Sequence, residues 1–272
     1  MAIKLIASDM DGSLLTSDKR LPPDFFQVLE QLPKEQLTQM LSGIRFAAAS
    51  GRAYYTLREN FAPYEDRLDY LCENGAFVSC GGKVISMDAL DPAVVSEIID
   101  CCEKLPDAQL VLCGKDRAYH KQPPAEYTPH LQCYYVQHQV LTDLHQVTDP
   151  ILKVAICNLK DIRATHAALE PIFGSRLNVV ISGDYWMDMM NPQVNKGWAL
   201  QQMQQYLGVT KEETMAFGDY YNDIELLGQA GESYVMANAR PEMFAYGNHT
   251  APSNEDYGVT RIIRQVVLGE QE

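Results

Sequence analysis

Short apolar runs that each stop at a polar, chemically capable residue are the feature that most constrains this fold. Ile3-Lys4-Leu5-Ile6-Ala7-Ser8 runs into Asp9, and Ile44-Arg45-Phe46-Ala47-Ala48-Ala49 runs into Ser50-Gly51-Arg52. Leu71-Cys72 ends in Glu73-Asn74-Gly75, Thr214-Met215-Ala216-Phe217 ends in Gly218-Asp219, and Ser233-Tyr234-Val235-Met236 follows one helical stretch later. Runs this short and this apolar suit strands buried on both faces, and helical stretches alternate with them, so a parallel sheet covered by helices on both sides is expected. Open sheets of this kind bind ligands in the crevice beyond the carboxyl ends of their strands. The polar residues therefore collect where a site would lie.

The middle of the chain has a different texture. Lys83 to Met87, Gln109 to Cys113, Ala118 to Lys121, Leu152 to Cys157 and Asn178 to Ser182 read as strands, and Pro92 to Leu105 and Asp161 to Phe173 as helices. None of the strand-end motifs falls there. The expected architecture is thus α/β: a Rossmann-like doubly wound parallel sheet formed by residues 1–82 and 185–272, carrying a second, smaller α/β domain at 83–184. Gly81-Gly82 would be the hinge on entry.

Asp9-Met10-Asp11-Gly12 carries the strongest chemical signal. On an extended segment residues two apart point the same way, so both carboxylates can face one pocket. Carboxylates this close stay ionised only with a cation between them, or else one takes up a proton. A solvated turn would use the same residues. Ser50-Gly51-Arg52 offers a hydroxyl and exposed N–H groups at a helix start, a place for an anion or simply a cap. Lys196 stands at the first turn of a helical stretch, where the helix dipole disfavours a cation; a bound phosphate would resolve that conflict, while an exposed surface lysine is the plainer reading of the residue by itself. Asp219 and Asp223 lie about one turn apart if a helix begins near Tyr220, though acids at a helix start also serve simply as caps. Four acids converging at strand ends, Asp9, Asp11, Asp219 and Asp223, suit a hard cation, Mg²⁺ above all.

Composition narrows the partners. The formal net charge is −14 over 272 residues, with no Lys/Arg cluster to offset it, which excludes nucleic acid and anionic membrane as main partners. No apolar run is long enough to span a bilayer and no leader is recognisable, so a cytoplasmic protein is expected. The seven cysteines form no C-x-x-C pair and read as reduced, largely buried thiols. His120, His130, His138 and His145 lack metal-motif spacing and read as surface or loop histidines. Tyr134-Tyr135 and Tyr185-Trp186 read as packing residues. Glu73 and Asn74 follow a strand end and read as supporting residues.

In these motifs the chain resembles the haloacid dehalogenase superfamily, and within it the Cof-type phosphatases. The resemblance rests on Asp9-Met10-Asp11-Gly12-Ser13-Leu14-Leu15, Ala49-Ser50-Gly51-Arg52, Glu73-Asn74-Gly75-Ala76, Asn195-Lys196-Gly197 and Gly218-Asp219 through Asn222-Asp223, in the family's order, with a long insertion between the second and third motifs. Asn254 to Val259 is a weaker echo of the family's Asn-x-x-x-Gly-Val segment.

The resemblance implies roles. Asp9 would attack phosphorus and Asp11 would serve as acid and base. Asp9, the Asp11 carbonyl and Asp219 would hold Mg²⁺, with Asp223 behind them. Ser50, Lys196, Asn222 and the N–H groups of Met10 and Gly51 would bind the phosphoryl oxygens. The insertion would be a cap over the site. The implied activity is hydrolysis of a small phosphorylated metabolite, such as a sugar phosphate, through an aspartyl-phosphate. A phosphomutase of the same fold or a non-catalytic phosphometabolite binder would use the same residues. Ser13 where Thr is commoner keeps the hydroxyl. Tyr220 where a small residue or Asn is commoner adds bulk beside the site.

Overall fold

Leu5–Asp9 forms a strand because its five residues are apolar or small and bury both faces at once. It opens a computed structural model that describes residues 2–32 and 43–270. The first elements are β1 (Leu5–Asp9), α1 (Phe25–Gln31), β2 (Arg45–Ala49), α2 (Tyr54–Asn60), β3 (Asp69–Cys72), β4 (Phe77–Cys80) and β5 (Lys83–Met87). There follow α3 (Pro92–Cys102), β6 (Gln109–Gly114), β7 (Ala118–His120), α4 (Thr128–Gln132), β8 (His138–Val140), β9 (Ile151–Cys157), α5 (Ile162–Phe173), β10 (Asn178–Ile181) and β11 (Trp186–Met190). The last are α6 (Lys196–Leu207), β12 (Thr214–Gly218), α7 (Ile224–Gly228), β13 (Glu232–Met236), β14 (His249–Ala251) and α8 (Gly258–Ile262).

The chain divides into two units. The first comprises residues 1–51, 61–86 and 195–272, and the second residues 52–60 and 87–194. In the first, eight strands run in the order β14-β13-β12-β1-β2-β3-β4-β5. Pairing is parallel from β14 through β3, and β4 runs antiparallel to β3. From β1 the chain moves outward through β2 and β3, then returns to the other side of β1 for β12. The switch in winding direction thus lies at the carboxyl ends of β1 and β12, the place where such sheets carry ligands. One face of the sheet buries Leu5, Ala7, Ala47, Ala49 and Leu71 against Ala199, Leu200 and Met203 of α6. The alternate residues pack oppositely: Phe25 of α1 meets Phe46 edge-on at 5.2 Å, and Phe61 meets Tyr70. At the amino ends of the strands Arg45 clamps the buried Asp69 with two nitrogens, and Asp69 also accepts from Gly81 N–H.

The second unit is a six-stranded sheet in the order β10-β11-β9-β6-β7-β8, antiparallel except for the β7–β8 edge pair. Ile98 and Ile99 of α3 and Leu169 and Phe173 of α5 cover one face. Tyr127, Leu131 and Tyr135 pack on the other, against Cys113, Ala155 and Cys157. Lys153 and Asp188 form an ion pair on this sheet, with both side chains almost fully buried.

The α/β architecture with a doubly wound sheet and a second α/β unit is the one expected. The edges of the insertion differ. Strand β5 joins the first sheet, so the first crossing falls at 86/87 rather than 82/83, and Trp186–Met190 pairs with β9 and β10, so the second falls at 194/195 rather than 184/185. A strand's own residues do not say which sheet it will join. Helix α2, expected with the first domain, groups with the second unit, where Thr56 Oγ1 donates to Tyr134 O. Among the described residues no helix is long and apolar enough to cross a membrane.

His120 departs from its surface reading. It is buried, bonded to Lys121 O at 2.8 Å and to His138 Nδ1 at 2.9 Å. Trp186 meets Tyr134 and Tyr135 edge-on, as packing residues should. All seven cysteines are free and five are buried, while Cys133 is exposed.

Candidate active site

Parallel register sets the frame. Asp9, the last residue of β1, pairs with Ala49 of β2, and Ser8 pairs with Phe217 of β12. Ser50 and Asp219 therefore emerge from the flanking strands just past the point where Asp9 emerges from the central one. Past β1 the chain folds back tightly, with Leu14 N–H bonded to Asp9 O and Leu15 N–H to Met10 O. Gly12 makes that turn at φ 92°, and a Cβ there would lie 2.4 Å from Asp219 Oδ2. Glycine is required on both counts.

Lys196 is the centre of the site. It is fully buried and its Nζ donates to Asp9 Oδ1 at 2.5 Å and to Asp223 Oδ1 at 2.6 Å. It opens α6, whose cap is Asn195 Oδ1 accepting from Trp198 N–H. The sequence suggests a phosphate as the relief for a lysine at this position, yet two carboxylates already neutralise it here. Helix α6 reaches this close because Gly197 sits against Glu225 of α7, where a Cβ would be 2.3 Å from the carbonyl oxygen.

Asp223 works from behind. Its second oxygen accepts from Asp219 N–H at 3.1 Å and Tyr220 N–H at 3.2 Å, which shapes the turn at the end of β12. That turn is a 3₁₀ segment, Tyr221–Asp223, before α7 begins. Asp219 turns forward, where Ser13 Oγ donates to its Oδ1 at 3.2 Å. Asp9, Asp219 and Asp223 each place a carboxylate oxygen within 4.8 Å of the others'.

Burial, then the charge of Asp223 and of Asp219, holds the Asp9 carboxyl well above the usual carboxylate range, with Lys196 opposing. Burial and Asp223 likewise push Asp219 up to about 6, against the Ser13 hydrogen bond and Lys196. The pull of Asp223 and Asp9 outweighs desolvation at Lys196 and raises its ammonium above the ordinary lysine value. Three acids against one ammonium leave an excess of negative charge in a buried space. A hard, oxygen-preferring cation such as Mg²⁺ fits that donor set.

The remaining expected residues lie around this centre. Ser50 is buried, with its N–H on Leu71 O. Asn74, at φ 54°, donates its N–H to Ser50 O, and its Oδ1 lies 3.0 Å from the place a Gly51 Cβ would take. Asn222 Nδ2 reaches the same Asn74 oxygen at 3.5 Å. Asn74 thus links Gly51 and Asn222. Asp11 lies at the edge of the set, its side chain 37% exposed. The Met10 side chain is fully buried.

The candidate list drawn from the sequence omits a brace. Asn238 Nδ2 donates to Gly12 O at 2.8 Å, Asn238 Oδ1 accepts from Asn254 N–H, and Asn254 Nδ2 donates to Leu15 O. Asn238 follows the buried strand β13, so the strand-end rule that singles out Asp9 and Asp219 also points to it. Asn254 belongs to the segment noted as a weak echo.

The doubly wound sheet brings the acids and the buried lysine together at its switch point. The family model for haloacid dehalogenase-like hydrolases matches residues 6–263, and the chain belongs to that family. It is 32% identical to the 5-amino-6-(5-phospho-D-ribitylamino)uracil phosphatase YbjI of Escherichia coli, over 99% of this chain and 98% of the relative. It is 27% identical to the HMP-PP phosphatase of an Enterobacter species, over 90% of this chain and 88% of the relative. Among solved structures, SMU.1108c of Streptococcus mutans superposes with a TM-score of 0.83 at 29% identity, over 98% of this chain and 100% of that one. TM0651 of Thermotoga maritima shares the fold at a TM-score of 0.86 and 21% identity, over 99% of this chain and 98% of that one.

Proposed function

We propose that this enzyme is a Mg²⁺-dependent phosphatase that hydrolyses phosphomonoesters of small metabolites through an aspartyl-phosphate on Asp9. The observation that carries the reading is the buried Lys196 bonded to both Asp9 and Asp223, with Asp219 within reach of the same carboxylates.

Asp9, Asp219 and the Asp11 carbonyl would hold the cation, which supplies charge neutralisation at the phosphoryl oxygens. Asp9 attacks phosphorus through one carboxylate oxygen as the ester P–O bond breaks, and Asp11 delivers a proton to the departing oxygen so that an alcohol leaves. Asp11 then accepts a proton from water as that water attacks phosphorus, the bond to Asp9 breaks, and inorganic phosphate departs. Lys196, Ser50, Asn222 and the N–H groups of Met10 and Gly51 bind the phosphoryl oxygens, which is most of what phosphoryl transfer requires of a protein. Asp223 holds Lys196 and the Asp219 turn in place. Leaving-group selection is assigned to the inserted unit.

The test is phosphate release from a panel of phosphomonoesters, with Mg²⁺ and with EDTA, by wild type and Asp9→Asn. 5-Amino-6-(5-phospho-D-ribitylamino)uracil heads the panel because a relative is named for it. Metal-dependent turnover lost in Asp9→Asn supports the reading, and turnover that survives in Asp9→Asn removes Asp9 as nucleophile. Retained phosphoryl groups moved within the substrate would instead identify a mutase.

A further inference from the structure

Outside the Lys196 set, Lys19 reaches the proposed acid and base. Lys19 Nζ lies 2.7 Å from Asp11 Oδ1. Its place is set by the loop that follows β1. Lys19 N–H bonds Thr16 O at 2.8 Å, Thr16 N–H bonds Arg20 O, and Arg20 N–H returns to Thr16 Oγ1. Lys19 adopts φ 61°, a conformation that residues with a Cβ uncommonly take. The same loop is tied down from the far end of the chain, with Ser17 N–H on Glu255 Oε1 at 2.7 Å and Leu15 O on Asn254 Nδ2 at 2.9 Å. A half-exposed ion pair adds at most about 1 kcal/mol to stability, so the fold gains little from it in that way. What the pair does is place an ammonium on one of the two Asp11 carboxylate oxygens, Oδ1.

We infer that Lys19 is a positioning residue for Asp11: its ammonium holds Oδ1 and so determines how the carboxyl meets the leaving oxygen and later the attacking water. The inference rests on the phosphatase reading. Lys19 exchanges no proton in either half-reaction. The proton passes from Asp11 to the leaving oxygen and afterwards from water to Asp11.

The experiment compares wild type, Lys19→Met and Lys19→Arg with Mg²⁺, on an alkyl phosphate and on p-nitrophenyl phosphate. Lys19→Met is expected to lower kcat for the alkyl ester by about 10- to 100-fold with KM changed less than about 3-fold, and Lys19→Arg to recover most of that loss. With p-nitrophenyl phosphate the leaving group needs no proton, so Lys19→Met forms the phosphoenzyme at nearly the wild-type rate and hydrolyses it slowly. The signature is a burst of nitrophenolate and an accumulated phosphoenzyme. A raised KM with intact kcat would overturn the inference by making Lys19 a substrate ligand. Unchanged kinetics, or equal losses in both half-reactions without a burst, would overturn it as well. Asp9→Asn in the same assay tests the phosphatase reading separately: that reading stands if wild type forms a phosphoenzyme that Asp9→Asn does not, whatever Lys19→Met does.

Discussion

At the scale of single residues, the site is a problem in charge balance solved by one ammonium. Lys196 contacts Asp9 and Asp223 with no exposure of its own. Replacing it with Met leaves two carboxylates buried without a counter-charge, and breaking a buried pair in this way costs about 3–5 kcal/mol. Urea denaturation of Lys196→Met should show that loss, together with a fall in turnover of at least about 100-fold. The elevated carboxyls make a second prediction with a definite sign. Asp219 titrates near 6 in the folded chain against 3.8 ordinarily, so the folded state keeps a proton that the unfolded state has released. That contribution is complete at low pH and is lost as pH rises through about 6. In EDTA, Asp219→Asn should therefore gain stability over wild type between about pH 4 and 7, by up to roughly 3 kcal/mol at the upper end. Thermal melts across that range check it, and Mg²⁺ should raise the wild-type melting temperature more at neutral pH than at acid pH.

At the scale of elements, glycines decide how closely the parts carrying the site approach. Gly197 lets α6 lie directly on Glu225 of α7, and an added methyl would meet a backbone carbonyl, not a side chain that could swing aside. Gly197→Ala should therefore destabilise the fold by about 1–3 kcal/mol through overpacking. The same wedge shifts Lys196, so turnover should fall with it. Calorimetry and kinetics on the one variant check both. Much of this level can be read from sequence. Strands that are buried on both faces announce themselves as apolar runs, and the residue after each run faces the crevice, which is why Asp9, Ser50 and Asp219 stand out. The register that sets those three side by side follows once the strands are parallel neighbours. The Asn238–Asn254 brace is harder to read, because it joins residues sixteen positions apart through one hydrogen bond that no periodicity reports. Asn74 likewise reads as a strand-end residue, and only the fold places it between Gly51 and Asn222.

At the scale of the whole molecule, two sheets own separate cores. Leu5, Ala47 and Leu200 belong to one, and Ile98, Val154, Phe173 and Met187 to the other. A segment with its own sheet and its own core can fold by itself. Residues 87–194 expressed alone should give a cooperative thermal transition by circular dichroism, and a non-cooperative melt would show that this core depends on the rest. The sequence marks the insertion through its change of texture but misplaces its edges, because Lys83–Met87 and Trp186–Met190 are equally plausible in either sheet. Trp186–Met190 is also interrupted by Asp188, whose buried partner Lys153 lies on a strand thirty-odd residues earlier. No local signal connects them.

The order in which a ribosome makes this chain gives the Asn238–Asn254 brace a temporal meaning. The proposed nucleophile precedes these partners by far: β1 pairs on one side with β12, its turn is held by Asn238 and Asn254, and its lysine arrives at position 196. A nascent chain carries Asp9 while Lys196, Asn238 and Asn254 are still to be made. The turn after β1 waits for Asn254, and a product that stops short of it lacks the bond that holds Leu15 O.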